Sequence, residues 1–376
     1  MKTIRRLIFG EIVTAVSFVT LCFLALFFFF DFVDEIAAVG KSGPDGYQLR
    51  HAFLYVCMQI PNRIYELLPI TVLIGSIFVM ARLAQSSEYT ILRTSGLGPW
   101  RALRMLMGIG LVFTLVTFAI GDYIAPSVDR AAQLMKARFS GSLSVGQTGA
   151  WLKEKQTYSN YAVNVGAMSG LGEMKNIRIF EFDNKGFVVS TISAQSGEFG
   201  VADDWLLKKV ERTEFQSGSP ESPSPAANQT PTITRQTLDE YNWPTSLSSE
   251  MVSTALLRPD RMKTIDLFQY IQHLQSNAQS AQRYEIEFWR KVFYPLSCLV
   301  MVILALPFAY LHFRSGSAAG YIFTGVMIGI SFFLLNNVFG FIGNLNNWEP
   351  WIAAGSPGLL YLAVSLSAFG WLVLRR

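Results

Sequence analysis

Six long apolar stretches organise this chain, three on each side of a polar segment in which the pattern changes to that of strands. The first stretch, residues 12–30, contains nineteen residues without a charge, close to the roughly 20 that a helix needs to cross a bilayer core. A helix satisfies its own backbone polar groups in lipid, so each stretch predicts a membrane-spanning helix. The other five are residues 67–81, 105–121, 292–311, 319–341 and 351–374. The second is short between its flanking charges, so its helix should begin earlier, from Ile60 onward.

The polar segment between the third and fourth stretches alternates apolar and polar residues, which is typical of strands. Residues 184–186 favour a hairpin turn, because Asn and Gly accept the positive φ angles that tight turns need. The predicted strands are residues 157–165, 176–183, 187–194 and 205–215. The sequence therefore predicts an α-helical polytopic membrane protein with six transmembrane helices and a β-domain inserted between helices 3 and 4.

This order divides the chain into three predicted parts. Residues 1–125 hold transmembrane helices 1–3, and residues 126–262 form the β-domain with a Pro- and Ser-rich flexible loop at 217–232. Residues 263–376 hold an amphipathic helix capped by Thr264, followed by transmembrane helices 4–6. Pro295 and Pro307 predict kinks in the fourth span.

Basic residues are distributed unevenly, and this predicts the orientation. If six spans alternate, the basic residues of the termini and of two connections fall on one side. The positive-inside rule then places both termini in the cytoplasm and the β-domain outside. These residues are Lys2, Arg5, Arg6, Arg82, Arg93, Arg101, Arg104, Arg314, Arg375 and Arg376.

The polar connection between the second and third spans predicts a short cytoplasmic helix at about residues 84–96. Ser86 or Ser87 is expected to cap its start, Glu88 lies in the first turn where the helix dipole favours an acid, and Gly96 is expected to end it. A solvated connector and a helix that docks into a groove of a cytoplasmic partner are both compatible with this pattern.

The sequence does not contain the residue arrangements that are typical of catalytic sites. It contains no Gly-rich phosphate loop, no Ser-His-acid set and no zinc motif. The acids Asp31, Asp34 and Glu35 lie at the end of the first span, where a solvated interfacial role is favoured over a proton relay. We predict a noncatalytic chain without metal or cofactor, which as a transporter would take energy from a partner, as ABC-type permeases do. A membrane scaffold or sensor with an outer β-domain is the alternative.

Six short segments carry a resemblance to a known family. They are DFVDEI at 31–36, RLAQSSE at 82–88, TSG at 94–96, GDYIAP at 121–126, RYEIEFWRKVFYPLS at 283–297 and NNVFG at 336–340. Each segment alone is weak, but their order and spacing together are specific. On these segments the chain resembles the lipopolysaccharide export permease family LptF/LptG over essentially its full length, and the LptG branch more than the sister LptF.

The resemblance implies a half-transporter of the Gram-negative inner membrane with a periplasmic β-jellyroll. It implies pairing with the LptF permease and with two copies of the ATPase LptB, which binds and hydrolyses the ATP. Lipopolysaccharide is then extracted from the inner membrane and passed to a periplasmic bridge that begins with LptC and LptA, and the membrane helix of LptC can insert beside the first span.

The resemblance also implies site residues. Segment 84–96 corresponds to a coupling helix that contacts the ATPase through Ser87, Glu88, Tyr89, Leu92, Arg93 and Gly96, with Arg314 from the next connection. The first and fifth spans correspond to gate helices, with Phe27, Phe30, Asp31, Phe332, Asn336 and Asn337.

An anionic lipid ligand would need a rim of cations at the outer membrane level. The candidates are Lys41, Arg63, Arg130, Lys136, Arg138, Arg290 and Lys291. Lys136 best matches a basic residue of the family, whereas Asp31 stands where relatives carry a base.

Overall fold

The computed structural model describes residues 2–40, 47–140, 149–156, 159–169, 172–183, 185–200, 204–216, 232–249, 251–252, 259–277, 279–310 and 318–374. The chain divides into two compact units. The helical unit comprises Met1–Ala37, Ala52–Asp129 and Gln282–Arg376, and the sheet unit comprises Ala38–His51 and Arg130–Ala281.

The helices are long where the sequence is apolar and short where it is polar. Five of them precede the sheet: α1 Lys2–Ile36, α2 Leu49–Gln85, α3 Glu88–Thr94, α4 Pro99–Ala119 and α5 Ala125–Ser140, the last two joined by a π-helical turn, Ile120–Ile124. Of the helices whose bounds the structure describes, five follow it: α6 Thr264–Ser276, α7 Gln282–Phe293, α8 Leu296–Ala305, α9 Ala318–Leu345 and α10 Pro350–Leu374.

The predicted apolar stretches lie in helices long enough to cross a membrane. Among the described residues, five single helices are suitable, and α7 with α8 and the 3-10 turn Leu306–Ala309 makes a sixth if this pair, bent by 49°, is counted as one span. The bend lies at Pro295, which fits the predicted kink because proline cannot donate to the preceding turn. Helix α2 has 37 residues, which confirms that the second span begins well before residue 67.

Glycines allow these helices to pack closely against one another. A Cβ added at Gly75 of α2 would lie 2.8 Å from the backbone nitrogen of Val16 in α1, and one at Gly110 of α4 would lie 3.1 Å from the Cα of Leu299 in α8. Small residues let helix backbones approach in lipid, where apolar burial gives little driving force. Among the five single spans, α2 is the most enclosed, with 78% of its apolar window buried, whereas only 11% of that of α1 is buried.

The sheet unit contains a six-stranded antiparallel sheet whose strand order follows the chain. Consecutive strands are therefore neighbours, and the six described strands form a meander without Greek-key crossovers. The strands are β1 Ala150–Lys155, β2 Asn160–Met168, β3 Met174–Phe182, β4 Val188–Phe199, β5 Asp204–Gln216 and β6 Thr232–Pro244.

The sheet curls, so that side chains of distant strands meet on its inner face. The ring of Tyr161 in β2 lies 5.7 Å from that of Trp243 in β6, which in turn lies 5.2 Å from Trp205 in β5. Glu154 of β1 is buried and accepts hydrogen bonds from the backbone nitrogen of Ser246 at 2.8 Å and from its hydroxyl at 3.0 Å. These contacts join the beginning of the sheet to the segment that follows its last strand.

Two strands were missed by the sequence analysis. β1 ends in three consecutive charged residues, and the middle one, Glu154, points inward and breaks the expected apolar face. β6 has mixed polar and charged residues, as edge strands often do. Its first residue, Thr232, falls at the end of the predicted loop 217–232, and the rest of that loop lies outside the described residues.

The predicted turns and caps have mixed outcomes. The hairpin before β4 is formed, with Gly186 at a φ of 86° and the carboxylate of Asp183 accepting from the backbone nitrogen of Phe187 at 2.8 Å. Ser87, one of the two predicted alternatives, is the N-cap residue of α3, but its side chain makes no cap bond. The predicted threonine cap is wrong, because Lys263 rather than Thr264 is the N-cap of α6.

Helix α6 belongs to the sheet unit by its contacts, whereas the sequence analysis grouped residues from 263 onward with the later spans. It packs through Leu267, Tyr270, Ile271 and Leu274, which are buried. The division into functional parts at 125/126 and 262/263 stays a prediction.

Replacing Gly75 with alanine should destabilise the helical unit. The new Cβ would meet the backbone of Val16, which cannot rotate away, and such overpacking costs about 1–3 kcal/mol. Gly10→Ala is the matched control, because a Cβ at Gly10 has no neighbour within 4 Å. Thermal unfolding of the detergent-solubilised protein should show a lower midpoint for Gly75→Ala alone, and equal midpoints for both variants would contradict this packing.

Acidification should destabilise the sheet unit through His273. Burial lowers the pKa of His273, with a smaller opposing effect from Glu154, so the folded chain disfavours the protonated ring. The stabilisation is present above the ordinary histidine pKa of about 6.5 and is lost as the pH falls from there toward the lowered value. Thermal unfolding of wild type and His273→Gln at pH 7.5 and 5.5 tests this, and the variant should lose less stability. An equal loss in both would assign the pH effect to other groups.

Candidate functional site

Helix α3 is a short surface helix fixed by one buried aromatic side chain. Tyr89 is 4% exposed and packs edge-on against Tyr310, with the ring centroids 5.2 Å apart. Burial raises the pKa of Tyr89, so its hydroxyl stays protonated. Leu92 packs against the same apolar cluster. This inner face anchors α3 to the helices that cross the membrane.

A residue with a left-handed backbone conformation lies just beyond each end of α3. Ser87 has a φ of 61° and separates α3 from the end of α2, and Gly96 has a φ of 99°. The backbone nitrogen of Gly96 donates to the carbonyl of Arg93, and that of Leu97 to the carbonyl of Leu92. These two bonds form a Schellman motif, so Gly96 ends the helix as predicted.

The outward face of α3 is mixed in character. Glu88, Ile91 and Arg93 are exposed, and Ile91 is 62% exposed although it is apolar. A rigid helix that presents an isoleucine between an acid and a base offers the elements of a docking surface.

Two ion pairs hold α1 against α2, and we call them the Asp31 clasp and the Glu11 clasp. In the Asp31 clasp, the Arg63 guanidinium donates to both carboxylate oxygens of Asp31, at 2.6 and 2.9 Å, and to Glu66 at 3.0 Å. It also lies 5.4 Å above the ring centroid of Phe27. The Glu11 clasp joins Arg82 to Glu11. Arg63 is thus neutralised within the chain by a fork geometry that only arginine provides.

Two basic residues of α7, Arg290 and Lys291, contact the backbone of other helical elements. Arg290 donates to Glu287 at 2.9 Å and to the backbone carbonyl of Asn336 at 3.1 Å. Lys291 is 7% exposed, and its ammonium lies 3.5 Å from the carbonyl of Gly121 in the π-helical turn.

The predicted gate residues differ in environment. Phe332 is 2% exposed and packs edge-on against Tyr361, and Asn336 is 8% exposed. Phe30 is 54% exposed, and Asn337 is also exposed. The exposed side chains give α1 and α9 apolar outward faces that include Phe29, Phe30, Val33, Phe333, Leu334 and Phe341.

A family model described as lipopolysaccharide export system permease LptF/LptG matches residues 6–375, which is nearly the whole chain. The chain belongs to the LptF/LptG permease family. It is a multi-pass membrane permease of the lipopolysaccharide export system, which confirms the predicted membership and function.

Curated relatives cover almost the full length of this LptF/LptG permease. It is 27% identical over 348 residues to the lipopolysaccharide export system permease protein LptG of Escherichia coli (strain K12), an alignment that covers 92% of this chain and 90% of the relative. The LptG protein of Haemophilus influenzae is 26% identical over 379 residues, covering 100% of this chain and 99% of the relative.

The remaining predicted cations of the permease lie in the sheet unit or outside the described part. Arg130 is exposed, and the Lys136 ammonium lies 5.9 Å from the ring centroid of Tyr47. Lys41, Arg314 and the side chain of Arg138 are outside the described residues. Which of the seven cations contact the lipid stays a prediction.

Sequence reasoning missed the contacts that these charges make. It assigned Asp31 to the gate helices and Arg63 to the cations that contact lipid, and it gave Glu11 no role. The available signal was their spacing, because Glu11 and Asp31 flank the first apolar stretch and Arg63 and Arg82 flank the second. Among the described residues, no three His, Cys, Asp or Glu side chains form a metal-binding group. The absence of a cofactor stays a prediction.

Breaking the Asp31 clasp should loosen α1. Asp31→Asn and Arg63→Gln each remove a charge from a pair whose side chains are 17% and 29% exposed, and a charged hydrogen bond is worth about 1.5–3 kcal/mol. We expect a double-mutant cycle on thermal unfolding to give a coupling energy of at least about 1 kcal/mol. Asp34→Asn is the control, because Asp34 is exposed nearby on α1. Additive effects of Asp31→Asn and Arg63→Gln would show that the pair is not coupled.

Proposed function

We propose that this chain is an LptG-type half of an ABC exporter, which extracts lipopolysaccharide from the bacterial inner membrane while a partner ATPase supplies the energy. The observation that carries the proposal is α3, a helix with a buried anchor at Tyr89 and an exposed face at Glu88, Ile91 and Arg93. A membrane permease without a nucleotide-binding motif needs such a surface to receive force from its motor. In this proposal α3 is the coupling helix, it docks on the LptB dimer, and both termini are cytoplasmic.

The weakly enclosed helices α1 and α9 support a lateral path for lipid. Their apolar windows are only 11% and 28% buried, against 78% for α2. In the proposal, these outward faces line a cavity that is completed by LptF, and the membrane helix of LptC inserts beside α1. Acyl chains would contact the phenylalanine-rich faces, and lipid phosphates would contact the cationic rim.

The curled sheet supports a role in passing lipid onward. Its inner face is lined by apolar side chains such as Val163, Ile177 and Leu207, all at most 1% exposed. In the proposal, the sheet unit is the periplasmic domain for which the resemblance implies a β-jellyroll, although its six described strands form a meander, and it hands lipopolysaccharide to LptC and LptA.

Co-purification tests the proposal directly. The tagged full chain, extracted from its native membrane, should bring an ATPase and a second permease in fixed stoichiometry. A chain that purifies alone would support the scaffold or sensor alternative. The sister-permease alternative is tested by the second chain, because an LptG-type second chain would assign the LptF role to this one.

Glu88→Ala should weaken binding of the ATPase while the chain still inserts in the membrane. Loss of one charge at an interface costs about 2 kcal/mol, which is roughly a 30-fold loss of affinity. The measurement is the amount of ATPase retained after washing, together with lipopolysaccharide release from membrane vesicles.

Glu240→Ala, which removes an exposed glutamate from β6, is the matched control and should behave as wild type. Normal ATPase retention and normal release in Glu88→Ala would exclude a coupling role for this residue.

A further inference from the structure

Arg290 uses both terminal nitrogens of its guanidinium within the chain. One donates to Glu287 on the same helix at 2.9 Å, and the other to the backbone carbonyl of Asn336 on α9 at 3.1 Å. Its side chain is 21% exposed, and its third nitrogen, Nε, is buried without a hydrogen-bond partner among the described residues. The charge is thus turned toward the backbone of α9.

Gly340 makes this position possible. A Cβ added at Gly340 would lie 2.2 Å from the Nη2 atom of Arg290, so any larger residue would have to displace the guanidinium. Gly340 is one helical turn beyond Asn336, and the two residues form a notch in α9 that the arginine fills. A mutation at Gly340 can therefore move the cation without removing its charge.

Further contacts join α7 to the same end of α9 and to α10. The Gln282 amide donates to the carbonyl of Gly343 at 3.3 Å and to that of Trp348 at 2.6 Å. A Cβ at Gly355 of α10 would lie 3.4 Å from the ring of Phe293. Helix α7 therefore contacts α9 and α10 along most of its length.

The other half of α9 has different neighbours. Cβ atoms added at Gly325 and Gly329 would lie 3.4 and 2.7 Å from Ile74 and Ile70 of α2. Helix α7 is itself separated from α8 by the 49° bend, and α8 packs on α4 through Leu299. The end of α9 that contains Asn336 is thus attached to α7, and the other end is attached to α2.

We propose that Arg290 is a positioning residue that fixes the Asn336 end of α9 to α7, so that this end of α9 and α7 move as one body about the bend at Pro295. This rests on the proposed function, in which α9 is a gate helix. It assigns Arg290 to the gate itself and not to the cationic rim that contacts lipid phosphate. An arginine is required because its planar fork donates in two directions at once, which a lysine ammonium does not reproduce.

Hydrogen–deuterium exchange of the backbone amides of residues 337–345 tests this in the protein purified with its accompanying subunits. Gly340→Ala, Arg290→Gln and Arg290→Lys should each raise exchange there by about ten-fold, because a charged hydrogen bond to the helix is lost. Gly358→Ala and Arg104→Gln are matched controls, since a Cβ at Gly358 has no neighbour within 4 Å and Arg104 is exposed.

Binding and transport of lipopolysaccharide separate positioning from ligand contact. All three variants should lower the transport rate and leave the affinity for labelled lipopolysaccharide unchanged. Wild-type exchange in Gly340→Ala would overturn the proposal. So would a loss of lipopolysaccharide affinity in Arg290→Gln that Arg290→Lys and Gly340→Ala do not share, because that pattern identifies an anion ligand. If Arg290→Gln does not fold, Gly340→Ala still decides the question.

The exchange measurement does not depend on the permease activity. Raised exchange in a protein whose wild type moves no lipopolysaccharide would uphold the attachment of α9 to α7 and contradict the proposed function. Exchange at the wild-type rate in the variants, together with normal transport by the wild type, would contradict the attachment of α9 to α7 and uphold the proposed function.

Discussion

The helical unit depends on how closely its helices can approach one another. In lipid, apolar side chains gain little by leaving one apolar environment for another, so association relies on van der Waals contact and on hydrogen bonds between helices. Glycines supply that contact at successive interfaces of this chain. They are Gly75 between α2 and α1, Gly110 between α4 and α8, Gly325 and Gly329 between α9 and α2, and Gly343 between α9 and α10. Bulkier residues at these points would separate the helices and break the polar contacts beside them.

The polar contacts act where the close packing ends. Val16 meets Gly75 and the Thr20 hydroxyl donates to that of Thr71 at 2.9 Å, but in α1 no described residue beyond Val16 is buried. From there the helix is held by the Asp31 clasp and by aromatic contacts such as Phe28 with Phe53, 5.7 Å apart. Helix α9 has glycines along α2, and at its other end the contact of Arg290 lies beside the close approach of Gly343 to Ala353 of α10. The part of α1 beyond Val16 is therefore held by a few directional contacts, whereas α9 is closely packed toward both ends.

The sequence was sufficient for features that depend on local pattern. Apolar length located the spans, Pro295 the bend and Gly96 the end of α3, because each depends on the residue itself or its immediate neighbours. Contacts between distant residues were not accessible in this way. The partner of Arg63 is a residue 32 positions earlier, and the space that Arg290 occupies exists only because a distant position, 340, lacks a side chain. The strand β1 was missed for the same reason, since Glu154 is acceptable inside the sheet only through donors that lie beyond β6.

The two clasps between α1 and α2 also relate the protein to the thickness of its membrane. Glu11 and Asp31 are twenty residues apart, which is about 30 Å along a helix and equals the usual hydrocarbon thickness of a bilayer. Each ion pair can then lie at a boundary between lipid and water, where its charges keep partial hydration. In a thicker bilayer one pair would be drawn into hydrocarbon, and in a thinner one the apolar residues between the pairs would be exposed to water. The spacing of the clasps therefore sets the bilayer thickness at which α1 and α2 stay together at least cost.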